Sequence, residues 1–370
     1  VKSSSDFNFS KEASLIISFL RGERLKEKDF SEINWMSFVK ILKDEEIYPL
    51  FYEFLKDKDF VPVKVKELLK FLCKKNRERV ECLKDETIFV LKKLKQKGIK
   101  AIPLRGFLLS EEVYEKVYLR VFSDIDLFVM RKDLEKAIET LKDSGFSFNI
   151  DPQEERFLRN FHFKFYNEYK LYKKNFLVEI HFDLLPHRFK YTGNFENFIE
   201  VEKVKIDGLE IYKFSREWEV IMVAVHAFLH RFSLLKFILD IHCILSKFHV
   251  DYNKVFELSK RFRILKMVKL SLTLSSILFH TKIPGFLKFN RIPDFLRDFM
   301  FKEDDPSALK KDLLSILFID SFPQKIHYLS SLLNPDKRIY RILPLPRFLY
   351  FFYYPLRVLF ILKRRLIYFV

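Results

Sequence analysis

Ser123-Asp124-Ile125-Asp126-Leu127-Phe128-Val129 alternates polar and apolar side chains. In a β-strand Ile125, Leu127 and Val129 share one face, and Asp124 and Asp126 share the other. The apolar face marks a strand laid on a core. The two carboxylates stand about 6–7 Å apart along such a strand. Two acids at that spacing can bridge hard divalent cations such as Mg²⁺. Paired cations about 3.5–4 Å apart hold both the attacking and the leaving oxygen of an in-line phosphoryl displacement. A solvated strand end that carries two acids also fits the bare pattern, so its surroundings have to discriminate.

On either side the periods of strand and helix mix. Residues 99–104 read as a short strand, 107–118 as a helix, 123–130 as the acidic strand and 133–144 as a helix closed by Gly145. Strands are expected at 146–150, 161–168 and 176–183. Before this segment lies helix after helix, ending in an amphipathic one over 80–97 that stops at Gly98. After about Arg216 the helical period returns. The expected architecture is α+β: a small mixed β-sheet flanked by N-terminal and C-terminal helical regions. The expected division is 1–97 helical, 98–215 the α/β core, 216–335 helical, and 336–370 an aromatic and basic terminal segment.

The run Leu177-Val178-Glu179-Ile180-His181-Phe182-Asp183 alternates in the same way. Val178, Ile180 and Phe182 form its apolar face. Glu179, His181 and Asp183 form the polar one. Glu179 is the first choice for a third metal ligand and Asp183 the second. The strand expected to partner it would turn Phe161, Phe163 and Phe165 inward, with His162, Lys164 and Tyr166 on the other side.

The order Leu104-Arg105-Gly106, helix, Arg120-Val121-Phe122-Ser123-Asp124-Ile125-Asp126-Leu127-Phe128-Val129, helix, Gly145-Phe146, followed by Glu179-Ile180-His181-Phe182, resembles the uncharacterised nucleotidyltransferase family of the polymerase-beta-type superfamily. His226 and Asp240 match a helical His and a later helical Asp of that family. The resemblance implies that Asp124, Asp126 and Glu179 hold Mg²⁺ or Mn²⁺ and act as the catalytic acids. Arg105, Gly106, Arg120 and Ser123 would meet the nucleotide phosphates, while Lys164 reads either as a further phosphate contact or as an exposed strand lysine. His181, Asp183, His226 and Asp240 would lie near the substrate. An acceptor would attack the α-phosphorus of a nucleoside triphosphate, ATP being one candidate, and pyrophosphate would leave. Two positions depart from the pattern. Arg105 stands where a Lys is usual, and a guanidinium fork holds phosphate differently from a point charge. Phe107 follows Gly106 where related proteins often place a Ser. Arg105 and Arg120 fit a second role equally, as ion-pair partners of the aspartates.

Composition narrows the rest. Only 7 of 370 residues are Gly, and no G-x-G-x-x-G or P-loop occurs, so phosphate has to be held by metal, Arg, Lys and helix ends. Lys and Arg exceed Asp and Glu by 67 to 50, a formal charge of +17 that suits a polyanionic partner. Nucleotide, nucleic acid and anionic membrane all qualify, and nucleic acid is the less favoured. Cys73, Cys82 and Cys243 form no C-x-x-C pair, which points to a reducing, cytoplasmic setting. The first ten residues lack the pattern of a signal peptide. No apolar run reaches the roughly 18 residues that span a bilayer.

His226 and His230 are one turn apart without the Glu of H-E-x-x-H, which reads as a core or cleft-lining pair. Residues 341–370 read as an aromatic and basic element with two uses: packing on the helices, or peripheral contact with the inner membrane surface.

Overall fold

The computed structural model describes residues 9–149, 154, 157, 167–189, 195–293, 296, 308–335 and 337–367. Four helices come first: α1 (Lys11–Leu20), α2 (Trp35–Asp44), α3 (Tyr48–Leu55) and α4 (Val63–Gln96). Pro62 stands at the N-cap of α4, and no Gly or Pro interrupts the next 34 residues. The helix read over 80–97 is therefore the second half of one continuous rod. Gly98, at φ 73°, takes the left-handed conformation that ends it.

The central unit follows: β1 (Ala101–Pro103), α5 (Gly106–Tyr114), β2 (Ile125–Val129), α6 (Leu134–Asp143), β3 (Glu168–Lys173) and β4 (Phe176–His181). These strands make one sheet in the order β1-β2-β4-β3. The β1/β2 and β3/β4 pairs are antiparallel, and β2 and β4 run parallel. One face carries Ile125, Leu127, Val129, Val178, Ile180, Tyr169 and Leu171. It buries them against the second half of α4 and against α6. Each large aliphatic side chain buried in this way contributes roughly 1.5–3 kcal/mol.

A hairpin, β5 (Val201–Ile206) and β6 (Leu209–Phe214), lies beside β1. Then come α7 (Arg216–Leu229), α8 (Leu235–Lys247), α9 (Tyr252–Arg261), α10 (Leu265–Phe279), α11 (Ala308–Leu317), α12 (Phe322–Ser331), α13 (Lys337–Ile342) and α14 (Tyr353–Ile367). The N-terminal helices and α7–α10 share a single large core, from Ile16 and Phe51 to Trp218 and Leu274. The chain is α+β, a small mixed sheet flanked by helices on both sides in sequence. Among the described residues no helix is long and apolar enough to cross a membrane.

Four local expectations need correction. The helix expected to reach Tyr118 stops at Tyr114, because Glu115 takes a left-handed conformation at φ 66°. The acidic strand begins at Ile125, which leaves Asp124 on the approach to the sheet. Of the strand expected over 146–150, the described residues 146–149 contribute one bridge, Ser147 to Tyr172. The partner of β4 is β3, reached through the tight Lys174-Asn175 turn with Lys174 at φ 52°. Residues 158–166, with His162, Lys164 and Tyr166, lie outside the described residues.

Candidate active site

Parallel register sets Asp126 of β2 directly beside Glu179 of β4. Alternation then puts His181 one position along the same face, and β3 adds Lys170 opposite Glu179 and Glu168 opposite His181. Ligand atoms of Asp126, Glu179 and His181 all lie within 4.8 Å of one another. Asp124, expected to join Asp126 and Glu179 as a metal ligand, lines the same cavity but stands outside this group because it precedes the strand, and His181 stands in its place.

The cluster carries its own counter-ions. Arg105 Nη2 donates to Asp126 Oδ2 at 2.9 Å, and His181 Nε2 meets Asp126 Oδ1 at 2.9 Å. Lys170 pairs with Glu179 and, at 3.1 Å, with Glu168. His181 Nδ1 lies 3.7 Å from Glu168 Oε2. Burial alone would push the Asp126 carboxyl up; Arg105 and His181 outweigh it and hold Asp126 well below the usual carboxylate range. Burial works against a charged His181, yet Asp126 and then Glu168 raise its pKa. Glu179 is raised by burial and by the negative Glu168 and Asp126, against the pull of Lys170. Asp124 is raised by burial and by Asp126. It has no hydrogen bond or ion pair among the described residues. Arg105, Lys236 and Lys170 pull its pKa back down only in part.

Arg105 reaches Asp126 through a strained turn. The Leu104 amide donates to the Asp126 carbonyl at 2.9 Å, which fixes the end of β1 beside β2. The chain then reverses sharply into α5, with Arg105 at φ 51°, ψ −124° and Gly106 at φ 50°. A non-glycine residue in that region costs of order 1–3 kcal/mol and persists only where its surroundings impose it. The turn thrusts the Arg105 side chain over the acids, at the N-terminus of α5.

Arg120 is committed elsewhere. Its Nε and Nη2 donate to Asp240 Oδ1 and Oδ2, both at 2.8 Å, and the Tyr114 hydroxyl adds a third bond to Asp240 at 2.8 Å. The pair is almost wholly buried, with side chains 4% and 2% exposed. Asp240, expected beside the substrate, instead fastens α8 to the segment that leads into Asp124. Ser123 is exposed, and its carbonyl accepts from Arg79 at 3.3 Å. Asp183 is past the end of β4; it caps the Leu184 amide at 2.8 Å and pairs with Arg131 at 3.0 Å. Gly106 lines the cavity wall.

The cavity measures about 850 Å³. Opposite the acids, α7 supplies His226 and His230, whose rings lie 4.3 Å apart and each lie against Phe237. Burial, then Arg105, lowers both imidazoles, His230 to about 4. Arg188, Arg231, Lys236 and Arg357 also reach the wall. Sequence reasoning missed Glu168 and Lys170. The alternation of Glu168-Tyr169-Lys170-Leu171 and the short turn after Lys173 were the signals available.

A profile of the family described as uncharacterised nucleotidyltransferase matches residues 31–280. The chain belongs to this family. The match runs from α2 to α10 and so takes in the acid cluster, the Arg105 turn and the Arg120–Asp240 pair. Membership in a nucleotidyltransferase family implies a nucleotide substrate. Among solved structures, an antigenic nucleotidyltransferase-like protein from Paracoccidioides brasiliensis is similar at 17% identity, over 58% of this chain and 98% of that one, with a TM-score of 0.28. At that score the likeness carries no argument. No curated protein matches the chain.

Proposed function

We propose that this nucleotidyltransferase uses the Asp126–Glu179–His181 cluster, with Asp124, to hold a divalent cation and transfers a nucleoside monophosphate from a nucleoside triphosphate to an acceptor. The observation that carries the reading is the convergence of two carboxylates and an imidazole within 4.8 Å on one sheet face, in an 850 Å³ cavity beside an unpaired Asp124. The carboxylates suit Mg²⁺ or Mn²⁺, an imidazole ligand favours Mn²⁺ of the two, and Asp124 makes no hydrogen bond or ion pair among the described residues. A divalent cation there would offset phosphate charge and polarise the bond to be broken.

The protein's own groups supply the rest. Arg105, at the N-terminus of α5, is the cation paired with Asp126, and the helix end beside it adds partial positive charge. Arg188, Arg231 and Arg357 face the same space and can take phosphate oxygens in bidentate fashion. This arrangement replaces the Gly-Ser loop that the Gly106-Phe107 sequence lacks. The His226, His230 and Phe237 rings offer an aromatic wall on which a base or a flat acceptor can stack. Positioning and electrostatics then account for most of the rate.

A second reading rests on the internal cations. Arg105 on Asp126 and Lys170 on Glu179 already neutralise two acids, the condition of a silent module that binds nucleotide without turnover. One experiment separates the readings. The protein is incubated with each labelled nucleoside triphosphate, Mg²⁺ or Mn²⁺ and a cell extract, beside an Asp124→Ala/Asp126→Ala control. Label moved by wild type and not by the control supports transfer, and the labelled species identifies the acceptor as small molecule, sugar, protein or nucleic acid. Nucleotide bound without transfer supports the silent module. No metal-dependent binding refutes the proposal.

A further inference from the structure

Helix α12 turns Tyr328 and Gln324 into the core but presents Phe322, Ile326 and Leu329 to solvent, at 74%, 51% and 45% exposure, and Leu333 in the turn just past its end is 42% exposed. The spacing of the helical three, four and then three residues, is one continuous stripe along a helix. The following elements, tied to its end by the Arg357–Leu332 bond, also expose large apolar side chains. Phe348, Phe351 and Leu359 are 76%, 60% and 62% exposed. Isolated exposed apolar side chains are ordinary, but a run of large ones over 322–359 is a docking surface.

Charge identifies what docks. Residues 337–365 carry eight Lys or Arg and not one Asp or Glu, within a chain of net charge +17. A protein partner with an apolar groove would not require a segment free of acids over that length. An anionic bilayer would: it attracts basic residues at its surface and admits aromatic and aliphatic side chains to the depth of the headgroups. No helix among the described residues can span a bilayer, so the contact lies along the surface. The segment is anchored to the body of the protein. Arg357 Nε donates to the Leu332 carbonyl at 3.2 Å, and Tyr353, fully buried, packs on Phe157 with its ring 5.3 Å away. Both Leu332 and Arg357 also line the cavity, so the docking face adjoins its rim.

We infer that the face formed by α12 and residues 348–359 seats the protein on an anionic lipid surface. The inference is independent of the chemistry proposed for the acid cluster. The test is co-sedimentation of the full chain with vesicles of phosphatidylcholine alone, and with vesicles that contain about one third phosphatidylglycerol. Binding is expected only to the anionic vesicles and should weaken as salt rises from about 0.05 to 0.5 M. A Phe322→Ser/Ile326→Ser/Phe348→Ser/Phe351→Ser variant should bind at least about tenfold more weakly while its thermal midpoint stays within a few degrees of wild type, since these side chains are exposed. A milder Phe348→Ser/Phe351→Ser pair keeps the test open if the quadruple variant fails to fold. Absence of binding to anionic vesicles, equal binding to both vesicle types, or unchanged binding by the variants overturns the inference. So does a stable dimer that these substitutions dissociate and that shows no affinity for vesicles.

Discussion

Replacing Asp240 by Ala should cost the protein about 3–5 kcal/mol of stability, the usual consequence of removing one partner of a buried ion pair. The geometry accounts for the size. Both side chains are within a few per cent of complete burial, and two charge-assisted bonds of 2.8 Å join them. Without Asp240 the Arg120 guanidinium stays in the interior unpaired, and the Tyr114 hydroxyl loses its acceptor. Burial works against the charged Arg120, and Asp240 is what overcomes it. A loss of about 4 kcal/mol is a large fraction of the 5–15 kcal/mol that ordinary domains possess. Urea unfolding followed by circular dichroism measures it. The pair also has a predicted reverse. In Arg120→Met/Asp240→Leu no charge is left stranded, so most of the lost stability should return. A cost under about 1 kcal/mol for Asp240→Ala, or a double variant as unstable as the single one, would contradict this role for the pair.

Three further outcomes follow from the site. Lys170→Met removes the cation that competes for Glu179, so Mn²⁺ should bind several-fold more tightly by calorimetry; the gain is modest because Lys170 is 43% exposed and partly screened. Arg105→Gly and Arg105→Ala both lose the Asp126 pair, but at φ 51° the glycine variant should be the more stable by about 1 kcal/mol or more in urea unfolding. Burial, then Arg105, holds His226 below its ordinary 6.5, so its neutral form contributes stability that is fully present above about pH 6.5 and is lost as pH falls toward the folded value. Thermal midpoints should therefore drop on acidification below that point, and drop less in His226→Leu.

Much of the fold was readable because periodicity and punctuation agreed. Ile125, Leu127 and Val129 against Asp126, and Val178 and Ile180 against Glu179 and His181, fix which faces are core and which are chemical. Gly98 and Gly145 mark helix ends by the positive φ that each adopts. What escaped was set by long-range packing. Arg120 and Asp240 are 120 residues apart, and nothing local says that each consumes the other. The strand read on the alternating phenylalanines at 161, 163 and 165 lies outside the described residues. The true partner begins at Glu168, where the apolar positions are the less conspicuous Tyr169 and Leu171. Glu115 ends α5 in a left-handed conformation usually left to glycine, so no residue type announced the stop. The exposed stripe on α12 has the same helical spacing as a buried one; only the packed structure reveals that Tyr328 faces inward and Ile326 outward.

The most direct test of the central claim is Mn²⁺ binding in the presence and absence of a nucleoside triphosphate, by electron paramagnetic resonance or calorimetry, with wild type and Asp126→Asn side by side. Wild type should hold Mn²⁺, nucleotide should strengthen the binding, and Asp126→Asn should lose both effects while remaining folded. Equal Mn²⁺ binding by the two proteins, or none by wild type with nucleotide present, would contradict it.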